Sequence, residues 1–241
     1  MTGFPSSIAA YWDRVFGELP VTDRGSVLCA ISEDISVRRA VMMLTTSDGH
    51  SRAVLRPEVA DRAGIADASL LPLEEVVELL RAAGVVLHDP DYLFYLPTDA
   101  PSRIDATHHV RQLTEADRSA FDIFYGSASE QDHEDAFVEL DHWAVFGCFD
   151  GGRLVSAASL CLWEGGAIAD LGVLTLSDAR GRGHARDVVR SIASFARHQG
   201  LEPQYRCQTD NHASVALAKA SGLSLVGTWI VAMENSEIPA S

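Results

Sequence analysis

The chain has 241 residues, with 34 acidic against 19 basic side chains and a formal net charge of −15. Its 47% hydrophobic and 22% charged residues are typical of a folded globular protein, which excludes wholesale disorder. The negative charge argues against nucleic-acid binding, and no apolar run approaches the roughly 20 residues of a membrane span.

The first half of the chain is predicted to form an α+β domain over residues 1–100, followed by a linker near 97–107 rich in proline, serine and aspartate. Apolar residues at helical spacing predict helices over 6–17 and 73–83, and Pro57 begins a shorter one. The predicted strands are 27–32, 39–45, 51–55, 85–87 and 92–96. This half contains no motif that indicates a chemistry.

The second half is predicted to form a domain over residues 107–235. Its predicted strands are 110–113, 143–149, 153–163, 168–176, 204–208 and 223–232. Helices are predicted after the capping-box sequence that begins at Thr114, and over 132–141, 184–198 and 213–220.

The four cysteines are scattered and form no CxxC pair, which predicts reduced thiols in a cytoplasmic protein. The N-terminal residues also lack the pattern of a signal peptide. The segment His133–Asp135 with His142 suggests a metal site, but its sequence favours a solvated helix face, so no metal is expected. Lys219 is the only lysine, which excludes a GxxxxGK[ST] phosphate loop.

A glycine-rich loop joins the strand 168–176 to the helix 184–198. Gly181 and Gly183 allow a ligand to approach the backbone closely, and the free N–H groups at the start of the helix favour an anion such as a pyrophosphate. Arg180, Arg182 and Arg186 add positive charge. Two alternatives are a purely structural helix start and a dinucleotide site. The second is disfavoured because Arg186 occupies the last position of GxGxxG.

A second motif lies downstream, where Asn211 and Ser214 begin a helix that ends before Gly222-Leu223. With the loop Arg180-Gly181-Arg182-Gly183-His184-Ala185, it resembles the GNAT superfamily of acyl-CoA-dependent N-acyltransferases over about residues 108–233. The resemblance implies an α+β fold with a mixed, mainly antiparallel sheet flanked by helices.

The resemblance also implies roles for particular residues. The edge of the strand at Val173, Leu174 and Thr175 would pair with the pantetheine arm, and one backbone N–H there would hold the thioester oxygen. The residues 181–186, including His184 and Ala185, would surround the pyrophosphate, and Asn211 would bond the arm through its side-chain amide.

One position departs from the family pattern. Ala218 stands where the family commonly has a tyrosine that protonates the departing thiolate. Three interpretations are open: water or another residue such as Tyr205 supplies the proton, the reaction proceeds without an acid, or the domain binds acyl-CoA without catalysis. Asp170 is the first candidate for the base that deprotonates the amine, and Glu164 is the second.

The resemblance therefore implies an N-acyltransferase that moves an acetyl group from acetyl-CoA to a primary amine of a small molecule or peptide in a ternary complex. The alternatives are a non-catalytic acyl-CoA-binding module and, less favoured, an oxidoreductase. The negative charge favours a cationic acceptor, with neither nucleic acid nor membrane as partner. The first half has three open roles: narrowing the acceptor cleft, forming a homodimer, or being a decayed second copy of the fold.

Overall fold

A computed structural model describes residues 3–17, 24–100, 109–163 and 166–233. Residues 101–108 of the predicted linker and the candidate base Glu164 lie outside these ranges. Within them, seven α-helices flank a single eleven-stranded sheet with mostly antiparallel pairing, so the predicted α+β class is confirmed. No helix of the described residues is long and apolar enough to cross a membrane.

The elements follow in chain order. The helices are α1 Ser6–Phe16, α2 Pro57–Ala63, α3 Leu73–Ala82, α4 Arg118–Tyr125, α5 Glu130–Ala136, α6 His184–His198 and α7 His212–Ala220. The strands are β1 Ser26–Ile31, β2 Val41–Thr46, β3 Ser51–Leu55, β4 Ser69–Pro72, β5 Asp91–Tyr95, β6 Val110–Gln112, β7 Ala144–Asp150, β8 Arg153–Leu162, β9 Ile168–Thr175, β10 Glu202–Gln208 and β11 Ser224–Val231.

The sheet joins the two halves of the sequence. Its strand order is β4-β1-β3-β2-β11-β5-β10-β9-β8-β7-β6. Strand β5 of the first half lies between β11 and β10 of the second half and pairs antiparallel with both. Residues of the first half therefore reach the centre of the sheet, next to the strands that carry the sequence motifs.

Helices bury apolar side chains on both faces of this sheet. Helix α6 packs its buried stripe, which includes Val188, Val189 and Ile192, against strands β7 to β10. Helix α1 buries Trp12 and Phe16 in a separate cluster on β2, β3, β5 and β11. These burials remove apolar area from water and hold the central strands between two layers of side chains.

Two predicted elements differ in the structure. The predicted strand 85–87 is reduced to a single bridge between Leu87 and Ala232. The predicted helix 132–141 is the shorter α5, which ends where Phe137 adopts a left-handed backbone with φ of 44°. At this turn the chain passes over Gly172, where an added Cβ would lie 2.1 Å from the Ala136 carbonyl oxygen. Glycine at residue 172 therefore lets the end of α5 touch strand β9.

Candidate functional site

The parallel strands β9 and β10 separate part-way along their length. Their pairing runs from Ile168 opposite Glu202 to Leu171 opposite Tyr205, and neither strand pairs with the other beyond that point. Strand β9 nevertheless continues to Thr175 on the support of β8, and β10 continues to Gln208 on the support of β5. The separation leaves an edge of β9 whose backbone groups have no partner strand on that side.

The glycine-rich loop closes one end of this opening. Gly183 is the residue before α6, has a φ of 90° and provides no side-chain cap. Gly181 is also left-handed, with a φ of 76°. The first N–H groups of the 15-residue helix α6 therefore have no intrahelical acceptor and carry the positive end of its dipole. This is the geometry of an anion site.

Ten of the eleven residues predicted to bind the cofactor line one cavity of about 610 Å³. They are Val173, Leu174, Thr175, Arg180, Gly181, Gly183, His184, Ala185, Arg186 and Asn211. Arg182 is the exception, because its exposed guanidinium points to Asp150 at 3.4 Å. The cavity volume is in the range of small-molecule and cofactor sites.

Two of these side chains are held by local contacts. The Asn211 Oδ1 accepts a hydrogen bond from the Ser214 N–H at 3.0 Å and so caps α7, which leaves its amide nitrogen for a ligand. Arg180 donates to the Thr175 carbonyl at 3.1 Å and pairs with Asp132 of α5 at 2.6 Å. Arg180 thus connects α5 to the end of β9 across the mouth of the cavity.

Comparison with known proteins relates this cavity to a protein family. The sequence model of the family described as "Acetyltransferase (GNAT) family" matches residues 110–223. Residues 110–223, just under half of the chain, thus resemble a GNAT acetyltransferase domain.

The fold is similar to that of solved GNAT structures. An acetyltransferase of the GNAT family from Colwellia psychrerythraea shares 16% identity over 78% of each chain, with a TM-score of 0.51. A GNAT-family protein from Novosphingobium aromaticivorans shares 17% identity over 62% of this chain and 66% of its own length, with a TM-score of 0.49. The match thus spans just under two thirds of the Novosphingobium protein. A comparison with curated proteins found no match.

A second cavity of about 320 Å³ lies on the other side of the opening in the GNAT domain. It shares Val173, Tyr205 and Asn211 with the first cavity, so the two adjoin at the point where β9 and β10 separate. Its charged lining consists of four carboxylates and one guanidinium: Asp91, Glu134, Asp135, Asp170 and Arg206. Negative charge therefore dominates the side facing away from the glycine-rich loop.

The candidate base Asp170 lies in this second cavity, and it is paired. Arg206 donates to its carboxylate from Nε and Nη2, the latter at 2.7 Å, and Gln204 donates to it at 3.1 Å. The opposite Nη of Arg206 contacts Asp91 of β5 at 3.2 Å. Burial raises the pKa of the Asp91 carboxyl, and the nearby charge of Asp170 adds to that rise against the lowering effect of Arg206.

The candidate proton donor Tyr205 and the family position of the donor, which is Ala218 here, differ in their surroundings. Tyr205 is buried and lines both cavities, and burial raises the pKa of its phenol to about 12. Ala218 has no exposed surface and belongs to the apolar cluster under α6, so it lies outside the lining of either cavity. The phenol of Tyr205 is therefore protonated at neutral pH and adjacent to the opening.

Asp91 and Arg206 are site residues that the sequence reasoning missed. Arg206 follows Tyr205 on a predicted strand, and its charge at that central position was an available signal. Asp91 is different, because nothing in the first half indicates that β5 pairs with β10 and brings its first residue to this cavity.

Proposed function

We propose that the protein is an N-acetyltransferase that uses acetyl-CoA to acetylate a primary amine of a small molecule or peptide. The observation that carries this proposal is the opening between β9 and β10, which has an anion site at one end and an acid-lined cavity on its far side. The pyrophosphate would contact the N-terminus of α6, and the arm would lie along Val173 to Thr175. The thioester would then face the second cavity.

The proposed reaction is direct transfer. The nitrogen of the neutral amine forms a bond to the thioester carbon, the carbon–sulfur bond breaks, and its electron pair goes to sulfur. The substrate ammonium gives up two protons in all, one of which ends on the CoA thiol and the other in solvent. A backbone N–H between residues 173 and 175 would stabilise the oxyanion.

A thiol-bound intermediate on the protein is disfavoured. Cys161 lines the second cavity, and burial raises the pKa of its thiol. Cys207 also lines it, and burial together with the charge of Asp91 raises the pKa of that thiol to about 11. Since the thiolate is the reactive form of cysteine, neither side chain is a ready nucleophile at neutral pH.

We propose Tyr205 as the donor of the proton to the CoA thiolate. For the proton taken from the amine we propose two carboxylates, Asp170 and Asp91, which share Arg206. Accepting a proton at Asp170 costs hydrogen bonds from Arg206 and Gln204. Asp91 has a single contact with Arg206 and a raised pKa, so we place it first as the base.

A non-catalytic acyl-CoA-binding module is the second candidate. The burial of Ala218 in the core favours it, because the usual tyrosine hydroxyl has no counterpart at that position. For both candidates we propose a cytoplasmic location, which fits the four free cysteines, and a catalytic domain over residues 107–235. The domain of residues 1–100 would then form one wall of the cleft, and a homodimer stays a prediction.

Thermal unfolding with excess acetyl-CoA, CoA or NADH is the first test. A ligand at 100 times its Kd adds about 2.7 kcal/mol to the free energy of unfolding, which raises the Tm by roughly 5–10 °C for a chain of this size. We expect this shift with both CoA forms and none with NADH. Absence of a shift with saturating CoA would contradict the proposed cofactor site. CoA binding without release of the CoA thiol from acetyl-CoA in the presence of any amine would favour the binding module.

A further inference from the structure

A third cavity extends the acceptor side of the cleft into the first half of the chain. It has a volume of about 460 Å³ and shares Asp91, Arg206 and Gln208 with the acid-lined cavity. Its other walls come from Ser36, Arg38 and Arg39, from His88 and Asp89, and from the last residues of β11 with Ala232. An acceptor bound next to the thioester therefore has room to continue toward the first half.

The charge of the lining reverses along this path. The acid-lined cavity has four carboxylates and one guanidinium, whereas the third cavity has three guanidiniums, Arg38, Arg39 and Arg206, and two carboxylates, Asp89 and Asp91. The cleft is thus negative near the thioester and positive at its far end. A ligand with the opposite polarity would gain electrostatic energy at both ends.

Among the described residues, the Arg39 guanidinium and the indole N–H of Trp229 have no hydrogen-bonding partner at this far end. The Arg39 guanidinium lies 4.5 Å from the centroid of Trp163 and 5.8 Å from that of Trp229, and it has no ion pair or hydrogen bond with the described residues. Trp229 is 4% exposed, and its indole N–H has no acceptor among the described residues. A buried donor without an acceptor is costly, and an anion in the cavity would supply acceptors.

The distance along the cleft fits a small molecule. Arg206 also lies over Trp163, 5.0 Å from the ring centroid, so the two guanidiniums are no farther apart than the sum of their distances to that ring. An acceptor that reaches from the carboxylates around Arg206 to Arg39 is therefore a small molecule.

We propose that the acceptor is a small amine that also carries a carboxylate, with the amine beside Asp91 and Asp170 and the carboxylate at Arg39. The proposal rests on the function proposed above and names the substrate class of the same site. Arg39 is here a specificity residue that touches the part of the acceptor remote from the reacting nitrogen.

Thiol release from acetyl-CoA with matched pairs of amines tests the proposal. The probes are free L-amino acids and β-alanine, their carboxamides, and putrescine as an amine without a carboxylate. We expect kcat/KM for the carboxylates to exceed that for the matched carboxamides by about tenfold or more, as one charge-assisted contact allows. Equal values for the two forms, a preference for putrescine, or no reaction with any carboxylate would overturn the proposal.

Variants of Arg39 provide the second measurement. Arg39→Gln should raise the KM for the carboxylate acceptor, so that kcat/KM for the carboxylate becomes nearly equal to that for the matched carboxamide. Arg39→Lys should keep part of the preference for the carboxylate. Arg14→Gln is the matched control, because Arg14 also lies over a ring, 5.4 Å from Tyr11, but outside the three cavities. An equal decrease in kcat/KM for the carboxylate and for its carboxamide in Arg39→Gln would overturn the assignment of Arg39 as the carboxylate-binding residue. A Tm shift with acetyl-CoA, measured in parallel, shows whether the cofactor site itself is intact.

Discussion

The Arg206 Nη1 of β10 donates a hydrogen bond to the Asp91 Oδ2 of β5 at 3.2 Å, although the two residues belong to different halves of the chain. Arg206 also pairs with Asp170 at 2.7 Å, so one guanidinium connects a carboxylate from each half. Its positive charge lies between the two carboxylates and offsets the repulsion between them. The first half thereby contributes Asp91 to the acid-lined cavity, where we propose that the acceptor binds.

Asp91→Asn should lower kcat/KM by about 100-fold, which is the low end of the range for loss of a general base. The variant should also flatten the rise of the rate with pH. That rise reports deprotonation of the base, and because the pKa of Asp91 is raised, we expect it at higher pH than for an ordinary aspartate. Steady-state pH profiles check this. Asp61→Asn, an exposed carboxylate on α2, is the control.

Asp170→Asn should also lower the rate, because it removes the main partner of Arg206. Its pH profile separates two roles. A flattened profile would identify Asp170 as the base, whereas a lower rate with the same slope would identify it as the residue that positions Arg206. An unchanged rate and profile would remove Asp170 from the mechanism altogether.

Gly183→Asp should weaken CoA binding by at least about tenfold, because it places a carboxylate where the pyrophosphate is proposed to bind. Isothermal titration calorimetry measures this directly. Gly200→Asp is the matched control: Gly200 has a similar left-handed φ of 78° just beyond the other end of α6 and is remote from the cavity. Equal affinities for the two variants would contradict the assignment of the loop.

Tyr205→Phe should reduce kcat by about 10-fold or more, with little change in the Kd of acetyl-CoA. The effect is expected to be smaller than the roughly 100- to 10,000-fold typical of general acid–base catalysis, because a CoA thiolate is a tolerable leaving group. Since the pKa of Tyr205 is about 12, the wild type should show no loss of activity below pH 10 from this phenol. Tyr92→Phe, in the same apolar cluster but outside both cavities, is the control. Equal kcat values for the two variants would exclude Tyr205 as the donor.

Gly172→Ala should lower the free energy of unfolding by roughly 1–3 kcal/mol, as overpacking does. The new Cβ would meet the backbone oxygens of Ala136 and Phe137, which cannot rotate away. Urea denaturation checks the change. At Gly147 a new Cβ would meet the side chains of Leu113 and Leu154, which can rotate. Gly147→Ala should therefore lower the free energy of unfolding by less than Gly172→Ala does. A larger decrease in the free energy of unfolding for Gly147→Ala than for Gly172→Ala would show that the contact of α5 with β9 is not rigid.

The sequence determined the elements that depend on local chemistry. The glycine-rich loop, the Asn211 cap and the apolar stripe of α6 are encoded by neighbouring residues, because backbone freedom, capping and helical spacing act over a few positions. These features were sufficient to predict the α+β class and the GNAT resemblance, both of which are confirmed. The early end of α5 was missed, and the residue that its last turn contacts, Gly172, is remote in sequence.

Only the tertiary structure decided which strands are neighbours. The hydrogen bonds that place β5 between β11 and β10 are made by backbone groups that every residue carries, so no side-chain pattern specifies this partner over another. That placement brings Asp91 to Arg206 and joins the third cavity to the cleft. The sequence thus determined the glycine-rich loop through local geometry, whereas long-range strand pairing assembled the acid-lined cavity.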